Sequence, residues 1–345
     1  MISRSDAASF AHGGDLAAAR RLFPHAPQPF IDLSTGINPH SYPLPSLAAA
    51  VFAQLPDSAA QIRLCEIAAR TYGALTAAHV VCAPGTQILL PLVAALVPPG
   101  RAGILGPTYS EHARAGALAG HAVMDVGDID ELRRFDLAVI VNPNNPDGRI
   151  ITKEKLLALS DDLNGRGGLL AVDEAFMDVG PPEASLAGEI RRGNIIVLRS
   201  FGKFFGLAGL RLGFALAAPD LAATLNAALG PWAVSGPAIA IAQRALADDA
   251  WIAAARIRLA SAAEKLDQLL AEASVEVIGG TSLFRLVHTQ RAHEIFRHLG
   301  TAGIIVRAFH EQPTWLRFGI PSESRWDRVR SGLATCGKLA GKAMT

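Results

Sequence analysis

The stretch Ser200-Phe-Gly-Lys-Phe-Phe-Gly-Leu-Ala-Gly-Leu-Arg211 gathers groups able to do chemistry: one hydroxyl, one lysine among Phe201, Phe204 and Phe205, and one arginine eight residues after Lys203. Desolvation lowers an amine's pKa, and an amine that sheds its proton can form a Schiff base. Ser200 and Arg211 suit a phosphate, with a short hydrogen bond and a guanidinium fork. Taken alone, the stretch equally describes a lysine snorkelling beside core aromatics. Ala83-Pro-Gly-Thr-Gln87 sits where a strand gives way to a helix. There Gly85, Thr86 and Gln87 form either an anion cradle of backbone N–H groups or an ordinary cap. His12-Gly13-Gly14 allows close backbone approach to an anion, or simply a turn. Asp173, after the run Leu169-Leu-Ala-Val172, would by itself read as a helix cap.

Those residues must be held by something, and the chain alternates short apolar runs with helical patterns. Strands are predicted at His79-Val-Val-Cys82, Ala102-Gly-Ile-Leu105, Ala138-Val-Ile-Val141, Leu169-Leu-Ala-Val172, Ile195-Ile-Val-Leu198 and Leu212-Gly-Phe-Ala-Leu216. This is the pattern of an α/β sheet, largely parallel, and the candidate residues fall just beyond strand carboxyl ends, where such sheets bind ligands. Ile31-Asp-Leu-Ser-Thr-Gly-Ile-Asn-Pro39 is expected as a short strand running into a polar turn, with a short helical pattern from Asp15 to Phe23 and a long one from Ser58 to Tyr72. A composition shift at Gly230-Pro231-Trp232 separates a second part, with an alanine-rich helix to about Ser274 and strands at Ser282-Leu-Phe-Arg-Leu-Val287, Ile304-Ile-Val306 and Trp315-Leu-Arg-Phe-Gly319.

At 345 residues, half of them hydrophobic, with a formal net charge of +1, the chain has no basic excess that would point to nucleic acid or to a membrane surface. Three scattered cysteines form no metal motif and suit a reducing compartment. The first ten residues lack the apolar core of a signal peptide, and the apolar run over 88–99 is too short to span a bilayer. Cytoplasmic localisation is the expectation. Gly332-Leu-Ala-Thr-Cys-Gly-Lys338 nearly spells a P-loop, but Leu339 takes the Ser/Thr position and no strand precedes it. His293 and His298 stand on different helix faces and make no metal pair.

The lysine motif, extended to Ser-Phe-Gly-Lys-Phe-Phe-Gly-Leu-Ala-Gly-Leu-Arg-Leu-Gly-Phe214, resembles that of the fold-type I, class I and II aminotransferase superfamily, which uses pyridoxal 5'-phosphate (PLP). The resemblance covers the chain from about His12 to Arg330. It implies a large PLP-binding domain, a mostly parallel sheet flanked by helices, over 46–230. A smaller α/β C-terminal domain would occupy 231–345, with 1–45 as an N-terminal arm and small-domain segment. It further implies that Lys203 carries the cofactor, that Ser200, Arg211 and the turn Gly85-Thr86-Gln87 bind its phosphate, and that Tyr109 stacks on the ring. Asp173, in Asp173-Glu-Ala-Phe176, would keep the ring nitrogen protonated, since a nearby carboxylate raises its pKa. Asn145 would bond the phenolic oxygen, in a motif where Asp147 replaces the family's threonine. Arg317 would clamp the substrate carboxylate, with Arg307 beside it or on a second anion.

His12-Gly-Gly-Asp15, Asp32-Leu-Ser-Thr-Gly-Ile-Asn-Pro39 and Pro231-Trp-Ala-Val234 are similar to the L-threonine-O-3-phosphate decarboxylase branch of cobalamin biosynthesis. Its nearest relatives are histidinol-phosphate aminotransferases, which remain the alternative. Both act on a small phosphorylated amine substrate, which His12, Gly13 and Asn38 would help to hold. The resemblance also implies a homodimer. Relatives often carry a tyrosine that reaches across to the neighbouring subunit's cofactor phosphate. Here Leu55-Pro-Asp57 has no hydroxyl to donate.

Overall fold

The computed structural model describes residues 13–340. It separates into two compact units, one of residues 13–40, 146–148 and 254–340, the other of 41–145 and 149–253. The change at 253/254 falls inside the helix Asp249–Glu272, downstream of the composition shift at Gly230-Pro231-Trp232. The strands, in chain order, are β1 (Ile31–Leu33), β2 (Val80–Ala83), β3 (Arg101–Leu105), β4 (Ala122–Val126), β5 (Leu137–Val141) and β6 (Leu169–Asp173). After them come β7 (Ile195–Ser200), β8 (Gly213–Leu216), β9 (Glu276–Thr281), β10 (Phe284–His288), β11 (Ile304–Ala308) and β12 (Trp315–Gly319).

The larger unit is built on a seven-stranded sheet ordered β2-β8-β7-β6-β5-β3-β4. Strands β5, β6 and β7 are buried along their whole length, which is why they read as apolar runs, interrupted only at the carboxyl ends by Asp173 and by Arg199-Ser200. All neighbours are parallel except β8, which runs against both β2 and β7. Helices cover the sheet. Ser58–Tyr72 begins where Asp57 accepts the N–H of Ala59 and ends at Gly73, whose φ of 83° closes the last turn. Phe201, Phe204 and Phe205 sink into the core, where Phe205 stacks on Phe201 at 4.5 Å and lies 5.6 Å from Trp251. Lys203, in the short helix Phe201–Phe204, is only half-buried between them.

The smaller unit has a five-stranded sheet ordered β1-β11-β12-β10-β9. The helix Leu16–Leu22, capped by Asp15 on the N–H of Ala18, packs Ala18 and Ala19 into a core with Phe23, Phe296, Leu299 and Phe318. Residues 146–148 belong to this unit: Asp147 O accepts from Gly280 N at 2.7 Å, and side chains at Gly279 or Gly280 would collide with backbone. Two strands escaped the sequence reading, β4 and β9, and each is the edge of its sheet. Edge strands bury only part of themselves, so Ala-Val-Met-Asp-Val and Glu-Val-Ile-Gly-Gly-Thr carry no clean apolar signal. Among the described residues no helix is long and apolar enough to cross a membrane.

Candidate active site

In the larger unit the chemistry collects at one end of the sheet. Gly85-Thr86 follows β2, Tyr109 follows β3, Asn145 follows β5, Asp173 ends β6 and Ser200 ends β7. Arg211 precedes β8, and because β8 is antiparallel its start lies at the same end as the carboxyl ends of its neighbours. A strand reversal that the sequence did not announce therefore brings Arg211 to the others.

The turn after β2 is shaped around that arginine. Gly85 has φ +88°, and a Cβ there would stand 2.7 Å from Arg211 Nη2. Behind the turn, a Cβ at Gly213 would meet Thr86 N at 2.5 Å. Both positions are restricted to glycine, and the result is a concave patch of backbone N–H groups at the start of the helix Thr86–Ala94, beside a guanidinium. Arg211 is held in the left-handed region at φ 53° and donates from Nη1 to Ala208 O at 3.1 Å. With the Ser200 hydroxyl, this donor set fits the phosphate of PLP. The side chain of Gln87 turns elsewhere, accepting from Tyr109 Oη at 3.1 Å and donating to Glu111 Oε2 at 2.5 Å.

Asp173 is buried, with Oδ1 accepting from Ala175 N at 3.0 Å and Oδ2 lying 2.9 Å from His112 Nε2. His112 is equally buried, and its ring meets that of Tyr109 edge to face at 6.0 Å. The sequence reading missed His112. The available signal was its spacing, three residues after Tyr109 at the opening of the helix Glu111–Leu118, one turn along the same face. An acid held this way fits a protonated pyridine nitrogen. The Nζ of Lys203 lies 5.7 Å from the centre of the Phe176 ring, and Asn145 is half-buried after β5.

Glu174 and Arg199, one position along from Asp173 and Ser200, meet as an ion pair. Arg199 donates to Glu174 Oε2 at 2.9 Å and to Asp178 Oδ1 at 2.8 Å, with its guanidinium 4.5 Å over the Tyr72 ring. Glu174 also accepts from Ser185 Oγ and Leu186 N, both at 2.7 Å. Burial pushes the Glu174 carboxyl above its ordinary value, against the pull of Arg199 and these donors. Burial would lower the guanidinium's pKa, but Asp178 and Glu174 together carry it above the usual value. The cluster ties β6 to β7 where Asp173 and Ser200 stand.

The smaller unit holds the remaining candidates, except His12, which lies outside the described residues. Arg307 and Arg317 are cross-strand partners on β11 and β12. Like charges placed directly opposite repel, an arrangement that an anion between them would relieve. Arg317 is buried, donates to Ser34 O at 2.9 Å and lies 5.2 Å over Phe284. Gly13 packs on Ser34, where a Cβ would meet the carbonyl oxygen at 2.3 Å, and Gly14 N donates to Ser34 Oγ. Asn38 is buried, and its Oδ1 accepts from His40 N at 2.9 Å.

A family profile described as aminotransferase class I and II matches residues 29–332. The chain belongs to that family. Among curated proteins, it is 43% identical to a threonine-phosphate decarboxylase of Sinorhizobium sp and 40% identical to one of Pseudomonas aeruginosa. Each match takes in 93% of this chain and 96% of the relative. Among solved structures, the histidinol-phosphate aminotransferase of Sinorhizobium meliloti in complex with pyridoxal-5'-phosphate superposes with a TM-score of 0.81 over 99% of both chains, at 20% identity. That likeness establishes the α/β fold expected for the family, with its mostly parallel sheet.

Proposed function

We propose that this chain decarboxylates L-threonine O-3-phosphate to (R)-1-amino-2-propanol O-2-phosphate, the precursor of the corrinoid side arm, with PLP as cofactor. The similarity to two threonine-phosphate decarboxylases over 93% of the chain carries the reading. The balanced reaction takes up one proton and releases CO₂. PLP, when bound, draws electrons from the substrate's Cα.

The residues divide the remaining work. Lys203 holds the cofactor covalently. Ser200, Arg211 and the N–H groups of Gly85, Thr86 and Gln87 hold its phosphate, and Asn145 bonds its phenolic oxygen. Tyr109 covers the ring, fixed through Gln87. Asp173 keeps a proton on the ring nitrogen, and His112 steadies the carboxylate from Oδ2. Arg317 would hold the substrate carboxylate, the group that leaves as CO₂, through its guanidinium fork. Arg307, with Gly13, Asn38 and His12, takes the substrate phosphate. Two adjacent arginines suit a substrate carrying both a carboxylate and a phosphate.

The working form is a homodimer in the cytoplasm. Its support is an exposed apolar set in the larger unit, Leu44, Phe52, Leu55 and Trp232, with Phe52 and Leu55 each 67% exposed. Incubation with L-threonine O-3-phosphate tests the reading: stoichiometric CO₂ is expected, without need of 2-oxoglutarate. Keto acid formed only with 2-oxoglutarate, and no CO₂, would reject it in favour of an aminotransferase.

A further inference from the structure

The loops that follow the neighbouring strands β3 and β5 are fastened together by side chains to which the reaction assigns no chemistry. Asn144 is fully buried and uses both ends of its amide: Oδ1 accepts from Thr108 Oγ1 at 2.6 Å, and Nδ2 donates to Pro107 O at 3.0 Å. Its backbone N–H donates to Arg149 O at 2.9 Å. Arg149 Nη2 donates to Leu105 O at 3.1 Å and to Gly106 O at 2.9 Å. Residues 105–108 are thus bonded one after another to Asn144 and Arg149. Leu105 is the last residue of β3 paired with β4 and Pro107 has no N–H to carry the ladder further, so side chains supply partners for the carbonyls that turn away from it. The next residue on one side is Tyr109, and on the other Asn145.

We infer that Thr108, Asn144 and Arg149 are positioning residues that set the Tyr109 ring and the Asn145 amide relative to one another, so that both meet the cofactor. This rests on the assignment of Tyr109 and Asn145 to the cofactor made above. A site group held by locked neighbours binds without spending affinity on ordering a loop.

The test uses the full chain, stripped of PLP and titrated with it, with melting temperature measured alongside. Thr108→Val keeps the shape but removes the hydroxyl from Asn144. It raises the PLP dissociation constant about tenfold, the scale of one net buried hydrogen bond. Thr108→Ser restores the hydroxyl and stays within about twofold of the wild type. Should Thr108→Val fail to fold, Thr108→Ala, whose vacated space admits a water, takes its place. A purely structural staple would lower the melting temperature while leaving the dissociation constant alone, and that result would overturn the inference. Tyr109→Ala separates the two levels. If it weakens PLP binding and Thr108→Val does not, the positioning role falls alone; if it has no effect, the assignment of Tyr109 falls with it.

Discussion

Replacing Gly85 with alanine probes the phosphate cradle where its geometry is least forgiving. The residue has φ +88° and ψ 158°, a region closed to side chains, and holding alanine there costs about 1–3 kcal/mol of backbone strain. The new Cβ would also stand 2.7 Å from Arg211 Nη2 and 3.3 Å from Cζ. The end of an arginine can swing away, so the steric part is relieved cheaply in the free protein. The cofactor phosphate then loses one charge-assisted contact, on the order of 1.5–3 kcal/mol, or roughly 10- to 150-fold in affinity. Titrating PLP into the stripped variant and following the bound cofactor's absorbance measures this directly. A double-mutant cycle with Arg211→Met identifies the cause, since groups in contact couple and distant ones add. Once Arg211 is gone, the alanine should weaken PLP binding far less. Wild-type affinity in Gly85→Ala, or simple additivity in the cycle, would refute the coupling of turn and guanidinium.

Further outcomes follow from other contacts. Arg317→Lys replaces a fork by a point charge and should raise KM for threonine phosphate by about tenfold or more, with PLP affinity unchanged in titration. Arg199→Met strands Glu174 and Asp178 in the core, and urea unfolding should show a loss of about 3–5 kcal/mol. Burial pushes the Cys336 thiol up from 9.0 to about 11. The folded value is the higher one, so the neutral thiol's contribution is complete below pH 9 and is lost as pH rises through 11, at most about 2.7 kcal/mol. Cys336→Ala should accordingly show a shallower alkaline decline in denaturant midpoint than the wild type.

The sequence revealed most where burial and chemistry coincide. Leu137–Val141 and Ile195–Leu198 are apolar at every position because both faces are buried, and their carboxyl ends could be placed from that alone. Pro91, within the apolar run over 88–99, lies inside the helix Thr86–Ala94 at the loss of one backbone donor. What stayed hidden depends on tertiary placement. The antiparallel course of β8 is invisible in Gly-Phe-Ala-Leu, yet it puts Arg211 beside Gly85. His112 gains its place only from the fold, which sets its ring against Asp173. Glu174 and Arg199 lie far apart in sequence and meet only because β6 and β7 pair in register.

Every role proposed for the site depends on the amine of Lys203. Borohydride reduction of the purified, PLP-loaded protein, followed by digestion and mass measurement, should find one cofactor label on the peptide containing Lys203. A label on another lysine, or none, would contradict it.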